Sequence, residues 1–178
     1  MYSKICQTDK ELIPFSEIKI TEISPVLACE LNKRWHSTLP ELHYSNVVRN
    51  KYYICFGAYY GFLNWIAVGI WSSPIAGNRM KNADKILELR RLAISDEAPK
   101  NFASWFLSRM IKRIKLKFPQ IEKLISYQDT SKHIGTIYKA SNWIIDGYTK
   151  FRPWNETRKR NKSQTFGDKV RWAYYIKH

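Results

Sequence analysis

Side chains capable of chemistry gather in two short runs of this sequence. The first, SDEAPKN at residues 95–101, carries Ser95, Asp96, Glu97, Lys100 and Asn101. The second, SYQDTSKH at residues 126–133, carries Ser126, Tyr127, Gln128, Asp129, Thr130, Ser131 and His133. Carboxylates, hydroxyls, a phenol and an imidazole in close order are the groups that take and return protons during group transfer. Each run follows directly on an apolar segment. These two segment ends are the candidate active centre.

The flanking patterns say what must position them. ILELRRLAI reads as a strand, and FASWFLSRMIKRIKLKF as an amphipathic helix whose Phe102, Trp105, Phe106, Met110, Ile114 and Phe118 recur at three- and four-residue steps. Pro119 stops that helix. KLISYQD reads as a second strand, and a short helix opens after Gly135. Two strands joined through one helix of this length form a parallel crossover, and such sheets expose their functional edge beyond the strand C-termini. Both polar runs fall at that edge.

The rest of the chain supplies layers around this unit. Residues 15–23 alternate well enough for an edge strand. Ser24-Pro25 is a helix start, with serine capping and proline in the first turn, and the helix should end near His36. His36 and His43 sit in a loop without a metal-ligand spacing and read as ordinary loop histidines. Residues 52–60 and 62–72 form an aromatic-rich hairpin, with Gly57 and Gly69 marking bulges or close backbone approaches. Its Tyr59, Tyr60, Trp65 and Trp71 fit sheet core better than base stacking. Residues 144–149 form a strand with an Asp146-Gly147 turn or bulge signal, and residues 169–177 a closing strand. Between them lies a basic segment, residues 150–162, with Lys150, Arg152, Arg158, Lys159, Arg160 and Lys162 interleaved with Phe151 and Trp154. Cations that meet phosphate and aromatics that stack on unpaired bases make this a candidate nucleic-acid segment; a solvated connector is the alternative.

Composition narrows the partners. Thirty Lys and Arg against fifteen Asp and Glu leave a formal charge of +15, a field that draws polyanions. No apolar run approaches the ~20 residues that span a bilayer, so a membrane is not an expected partner. Cys6, Cys29 and Cys55 show no paired spacing, which points away from a disulfide framework or zinc site. The N-terminus lacks a signal-peptide layout, and the expected location is the cytoplasm.

The element order resembles the GNAT acyltransferase fold. That resemblance implies an α/β (α+β) chain forming a single domain over residues 1–178, with a mixed, mostly antiparallel central sheet flanked by helices. The central segments ELRRLAISDEAPKNFASWFLSR, LISYQD and GTIYKASNWIIDG are more specific and resemble the Mom-type phage DNA-modification proteins. Those are GNAT-like enzymes that enlarge adenine N6 in DNA to a carbamoylmethyl, glycinamide-derived base and so protect phage DNA from restriction. Carried onto this chain, the resemblance places Arg91 on the first strand, Asn101 and Ser104 at the turn and helix start, and Ser126, Tyr127 and Asp129 at the second strand's end. Gly135, Tyr138 and Asn142 fall on the short helix and its exit. Asp129 is then the candidate base, Tyr138 the candidate acid, and Ser126 a further catalytic candidate. Arg91 either pairs an acidic neighbour such as Glu88 or holds a phosphate of the donor. Asn101, Ser104, Tyr127, Gly135 and Asn142 are candidate substrate-binding residues, and no metal is implied. SDEAPKN departs from the glycine-rich loop with which GNAT enzymes cradle the pyrophosphate of coenzyme A. Proline removes an amide there, so the donor is either an aminoacyl-tRNA such as glycyl-tRNA or acetyl-CoA. Double-stranded DNA is the expected partner, and tRNA a second. The competing readings are a generic GNAT N-acetyltransferase acting on a protein or small-molecule amine, and a basic nucleic-acid-binding protein without catalysis.

Overall fold

In a computed structural model, residues 13–35, 39–132, 134–150 and 167–176 are described. The start of the chain differs from the strand expected there. After Pro14, residues Phe15–Glu17 form a 3-10 turn in which Glu17 N–H donates to the Pro14 carbonyl, and only Lys19–Glu22 (β1) is extended. Phe15 turns away to pack on Phe102 and Trp105, so the alternation expected of a strand gives way to a tertiary contact. Ser24 then caps Pro25–Trp35 (α1), its hydroxyl accepting the Leu27 N–H at 3.2 Å. A short helix, Ser45–Val48 (α2), leads into the hairpin of Tyr53–Tyr60 (β2) and Asn64–Ser72 (β3).

Then follow Ile86–Ile94 (β4), Phe102–Lys117 (α3), Lys123–Asp129 (β5), Thr136–Ala140 (α4), Ile144–Thr149 (β6) and Lys169–Tyr175 (β7). The strands make a seven-stranded sheet ordered β1-β2-β3-β4-β5-β7-β6, in which β4 and β5 are parallel and every other pair antiparallel. The last strand thus inserts between β5 and β6. No described helix is long and apolar enough to cross a membrane.

The two faces of the sheet carry different cores. On one, α3 and α4 lay Phe102, Phe106, Leu107, Met110, Ile114 and Tyr138 over Leu87, Leu89, Trp71 and Trp172. Phe106, Met110 and Ile114 are wholly buried, and each such side chain contributes about 1.5–3 kcal/mol by leaving water. Gly69 allows that contact: a Cβ there would come within 2.3 Å of Met110 Sδ. On the other face, Ala28 and Leu31 of α1 and Val47 of α2 cover Cys55, Val68, Ile70 and Ala93.

One irregularity in β4 organises the site. Opposite β3, Arg91 pairs with Ile70 and Leu89 with Trp71, so Arg90 is an extra residue without a partner. A strand normally alternates its side chains between faces, and a bulge breaks that alternation. Leu87 and Leu89 before the bulge, and Leu92 and Ile94 after it, all pack with the α3 cluster. Arg90 and Arg91 therefore emerge side by side on the α1 face. On their other flank, β4 and β5 pair only from Ile86↔Lys123 to Leu89↔Ser126. Beyond that pair, at the bulge, the two strands part.

Candidate active site

The parting strands leave a cleft of about 970 Å3, lined from both faces of the sheet. That volume suits a nucleotide-sized or drug-sized ligand. The α3-side wall is uncharged: Leu92, Ile94, Ala103, Ser126, Ile137 and Tyr138. The α1-side wall is charged. Arg90, Arg91, Lys132, Lys169 and Arg171 line the cleft with only two carboxylates, Glu88 and Asp129.

Tyr138 is the best-anchored polar group. Its ring stacks on Trp172 at 5.4 Å with 16° between planes and meets Trp143 edge-on at 5.6 Å. Its hydroxyl lies 2.8 Å from Ser126 Oγ, with Ser126 itself buried. Burial pushes the Tyr138 phenol above its ordinary pKa, the hydrogen bond to Ser126 opposing the shift. The group therefore keeps its proton at neutral pH, as a proton donor must. Below it, Gln128 Oε1 accepts the Trp172 indole N–H at 2.6 Å. Gly135 fits over this pair: its φ is +78°, and a Cβ would stand 2.6 Å from both Gln128 Oε1 and Trp172 Cζ2.

Asp129 sits at the tip of β5. Ser131 donates to its Oδ1 twice, from N–H at 2.9 Å and from Oγ at 2.6 Å, which fixes the carboxylate plane. Glu88, only 4% exposed, lies deeper. Burial raises its pKa, partly offset by the Ile75 N–H that its Oε2 accepts at 2.9 Å, then by Arg90, Arg91 and Lys169. Arg91 donates to the carbonyls of Arg90 and Pro40 at 2.7 and 3.3 Å. Burial, and then Arg90 beside it, lowers its pKa to about 10. The sheet ion pair with Glu88 is not formed: among the described residues neither Arg90 nor Arg91 makes an ion pair.

Of the residues singled out by sequence, Arg91, Ser126, Tyr127, Asp129, Gly135 and Tyr138 all line this one cleft. Asn101, Ser104 and Asn142 stand apart from it. Asn101 and Asn142 hold left-handed backbone at φ 65° and 61°, ahead of α3 and at the exit of α4. Ser104 ties α3 to α4, its carbonyl accepting the Ser141 hydroxyl at 3.2 Å. Trp71 is fully buried and donates to Met110 Sδ, and Tyr59 and Trp65 pack on each other at 5.2 Å; neither these three nor Tyr60 reaches the cleft. Lys150 is exposed, whereas Arg152, Arg158, Lys159, Arg160, Lys162 and the histidines His36 and His133 lie outside the described residues. Among the described residues no group of three or more His, Cys, Asp or Glu could hold a metal ion. Sequence reasoning missed Arg90, Lys169 and Arg171. The signal for the first was the Arg-Arg pair inside an otherwise alternating strand.

Comparison with solved structures places this arrangement among known folds. A GNAT-family acetyltransferase from Streptococcus pneumoniae superposes with a TM-score of 0.63 at 14% identity, covering 90% of this chain and 100% of that one. A Bacillus subtilis acetyltransferase in complex with CoA superposes at 0.61 with 15% identity, over 90% and 98%. The fold is therefore the GNAT fold. By sequence, the chain is 30% identical over 114 residues to the methylcarbamoylase Mom of Escherichia phage Mu, a match spanning 59% of this chain and 46% of the relative. The chain thus aligns with about half the length of that curated relative. The Mom protein family model matches residues 17–174, a stretch that runs from before β1 nearly to the end of β7 and takes in both walls of the cleft, and the chain belongs to the Mom protein family.

Proposed function

We propose that this chain is a transferase that modifies the N6 amine of adenine in DNA, giving a carbamoylmethyl-type base that shields phage DNA from restriction. The observation that carries this reading is the cleft between β4 and β5, in which a carboxylate, a buried phenol and a cationic wall converge. The kinship with a methylcarbamoylase supports the choice of group. The +15 charge supports a nucleic-acid substrate.

The first step is an acyl transfer. The adenine N6 lone pair attacks the donor's activated carbonyl, a C–N bond forms, and the bond to the leaving group breaks. Asp129, held by Ser131, takes the proton from nitrogen; Tyr138, protonated in its buried seat, supplies one to the leaving group. With a glycyl donor the resulting amide is an isomer of the carbamoylmethyl product. The glycyl amine attacks adenine C6, the bond from C6 to the amide nitrogen breaks, and a proton passes from the first nitrogen to the second, so no atom is gained or lost. Adenine N6 is inaccessible in a stacked duplex, and the base must leave the helix to enter the cleft.

The loop leading into α3 does not fit a pyrophosphate cradle. Glu97 and Ala98 N–H groups are taken by Ser95, Phe102 N–H by the Pro99 carbonyl, and Pro99 has no N–H. Asp96 and Glu97 are exposed beside it and repel phosphate. No step is therefore routed through coenzyme A, and glycyl-tRNA is the donor this reading favours, with acetyl-CoA as the comparison. The test is mass spectrometry, with fragmentation, of nucleosides from DNA of cells expressing the chain. A mass-shifted deoxyadenosine that disappears in Asp129→Ala is the expected result. Unmodified DNA from a well-folded wild-type chain overturns the reading. Labelled donors added singly to the purified protein then separate glycyl-tRNA from acetyl-CoA.

A further inference from the structure

We infer that Arg90 and Arg91 form a phosphate clamp for the acceptor strand, so that the nucleotide being modified enters from the α1 face of the cleft. The inference rests on the reading of the chain as a DNA-modifying transferase, and it adds which wall meets the polyanion and through which residues.

The bulge puts two guanidiniums side by side on one wall, where regular alternation would send them to opposite faces. Each is partly buried and poorly satisfied. Arg90 donates to Ser72 Oγ at 3.0 Å, and Arg91 to two carbonyls, all neutral acceptors. The Nε of each is buried without a hydrogen-bond partner. A guanidinium offers five donors in a planar fork, so most of this capacity is unused. Half-buried charge held only by neutral hydrogen-bond acceptors, with a single carboxylate, Glu88, acting on both guanidiniums from beyond ion-pair distance, leaves room for an anion to complete the site. The nearby acid, Glu88, is engaged by Ile75 N–H and does not reach either arginine as an ion pair. Lys169 adds a further charge to the same wall, while Arg171 is already paired with Asp146 at 2.7 Å.

The asymmetry of the cleft decides the direction. Its α3 side offers Leu92, Ile94, Ala103 and Ile137 with the hydroxyls of Ser126 and Tyr138 bonded to each other, a neutral lining that suits a neutral arm better than a phosphate. Its α1 side offers the unpaired arginines. The carboxylate of Asp129 shares that charged side: on β5, Ser126 and Gln128 turn to Tyr138 and Trp172, and Tyr127 and Asp129 alternate to the opposite face. A nucleotide gripped by its phosphate at Arg90 and Arg91 thus brings its base to the proton acceptor, leaving the far side for the donor.

The test uses fluorescence anisotropy of a labelled single-stranded oligodeoxynucleotide with one adenine, titrated at several salt concentrations. Each phosphate contact on a single strand contributes about 0.7 to the slope of log affinity against log salt. Arg90→Gln is expected to weaken binding about tenfold and to flatten the slope by about 0.7; Arg90→Lys restores the slope. A neutral methylphosphonate on the 5′ side of the adenine should flatten the wild-type slope by at least as much and add nothing once Arg90 and Arg91 are both replaced by Gln, which keeps the test valid through the ligand if a variant folds poorly. An unchanged slope in both Arg90→Gln and the methylphosphonate overturns the inference. So does a loss confined to coenzyme A or inorganic phosphate with oligonucleotide binding intact. Nucleoside analysis separates the two readings: modified DNA with no Arg90 effect removes only the clamp, and a clamp without modified DNA removes only the transferase.

Discussion

Removing one oxygen atom tests the proton-donor role of Tyr138. In Tyr138→Phe the ring keeps its stack on Trp172 and its edge contact with Trp143, and only the hydroxyl 2.8 Å from Ser126 Oγ is lost. A net hydrogen bond is worth about 1 kcal/mol, and stranding a buried hydroxyl costs about 1–3 kcal/mol. Ser126 is 2% exposed, so Tyr138→Phe should destabilise the protein by about 1–3 kcal/mol. Ser126→Ala should cost a similar amount by stranding the phenol. The double variant strands neither group, so the two losses should fall short of additivity by about 1–2 kcal/mol in urea unfolding. Activity should divide differently. Tyr138→Phe removes the proton donor and should lower modified-nucleoside yield about 100-fold or more, whereas Ser126→Ala leaves the donor in place and should retain a measurable yield. Additive stabilities would show that the bond is not formed in solution. Full yield from a folded Tyr138→Phe protein would refute the assignment of Tyr138 as the acid.

Three further outcomes are expected. Gly135→Ala forces a side chain into left-handed backbone and against Gln128 and Trp172, and should cost about 2–4 kcal/mol by chemical unfolding. Glu88 has a folded pKa raised by burial despite facing Arg90, Arg91 and Lys169; the stability it supplies is present below its unfolded pKa and is lost as pH rises through the folded value. Glu88→Gln, which keeps an acceptor for Ile75 N–H, should therefore gain on the wild type in melting temperature as pH rises from acidic to neutral. Asp146 behaves oppositely. Burial pushes its pKa up, but Lys123 at 2.9 Å and Arg171 at 2.7 Å outweigh that and hold it below the usual range. Asp146→Asn should thus be destabilising at neutral pH, with the deficit vanishing as pH falls through the folded pKa, measured by thermal melts across pH.

What could be read from sequence was what depends on neighbouring residues. The Ser24-Pro25 start and the spacing of Phe102, Phe106, Met110 and Ile114 set α1 and α3, and the single helix between two apolar runs set the parallel pairing of β4 with β5. What escaped depends on contacts distant in the chain. Phe15 leaves the expected strand because Phe102 and Trp105 are there to receive it. The insertion of β7 beside β5 brings Lys169 and Arg171 to the cleft, and nothing local to residues 169–175 announces that neighbour. Asn101 and Asn142 entered as substrate contacts through the family resemblance alone; the fold sets both outside the cleft in left-handed backbone, which asparagine tolerates. Asp129 and Arg91 could be placed at the cleft from sequence because each lies within a few residues of the point where the paired strands end, whereas Tyr138 in α4 came only through the family resemblance.

Arg90 is also a spacer one residue thick. Excising it leaves Arg91 opposite Ile70 and Leu89 opposite Trp71, so the ladder with β3 closes over the gap and every later side chain keeps its side. A shortened chain of this kind should still fold. Its fourth strand, relieved of the kink, would continue alongside the fifth past Leu89 and Ser126 and zip shut the opening the two now share. The volume available to a ligand is thereby set by a length difference between two neighbouring strands, and could be removed with Asp129, Ser126 and Tyr138 all left in the chain.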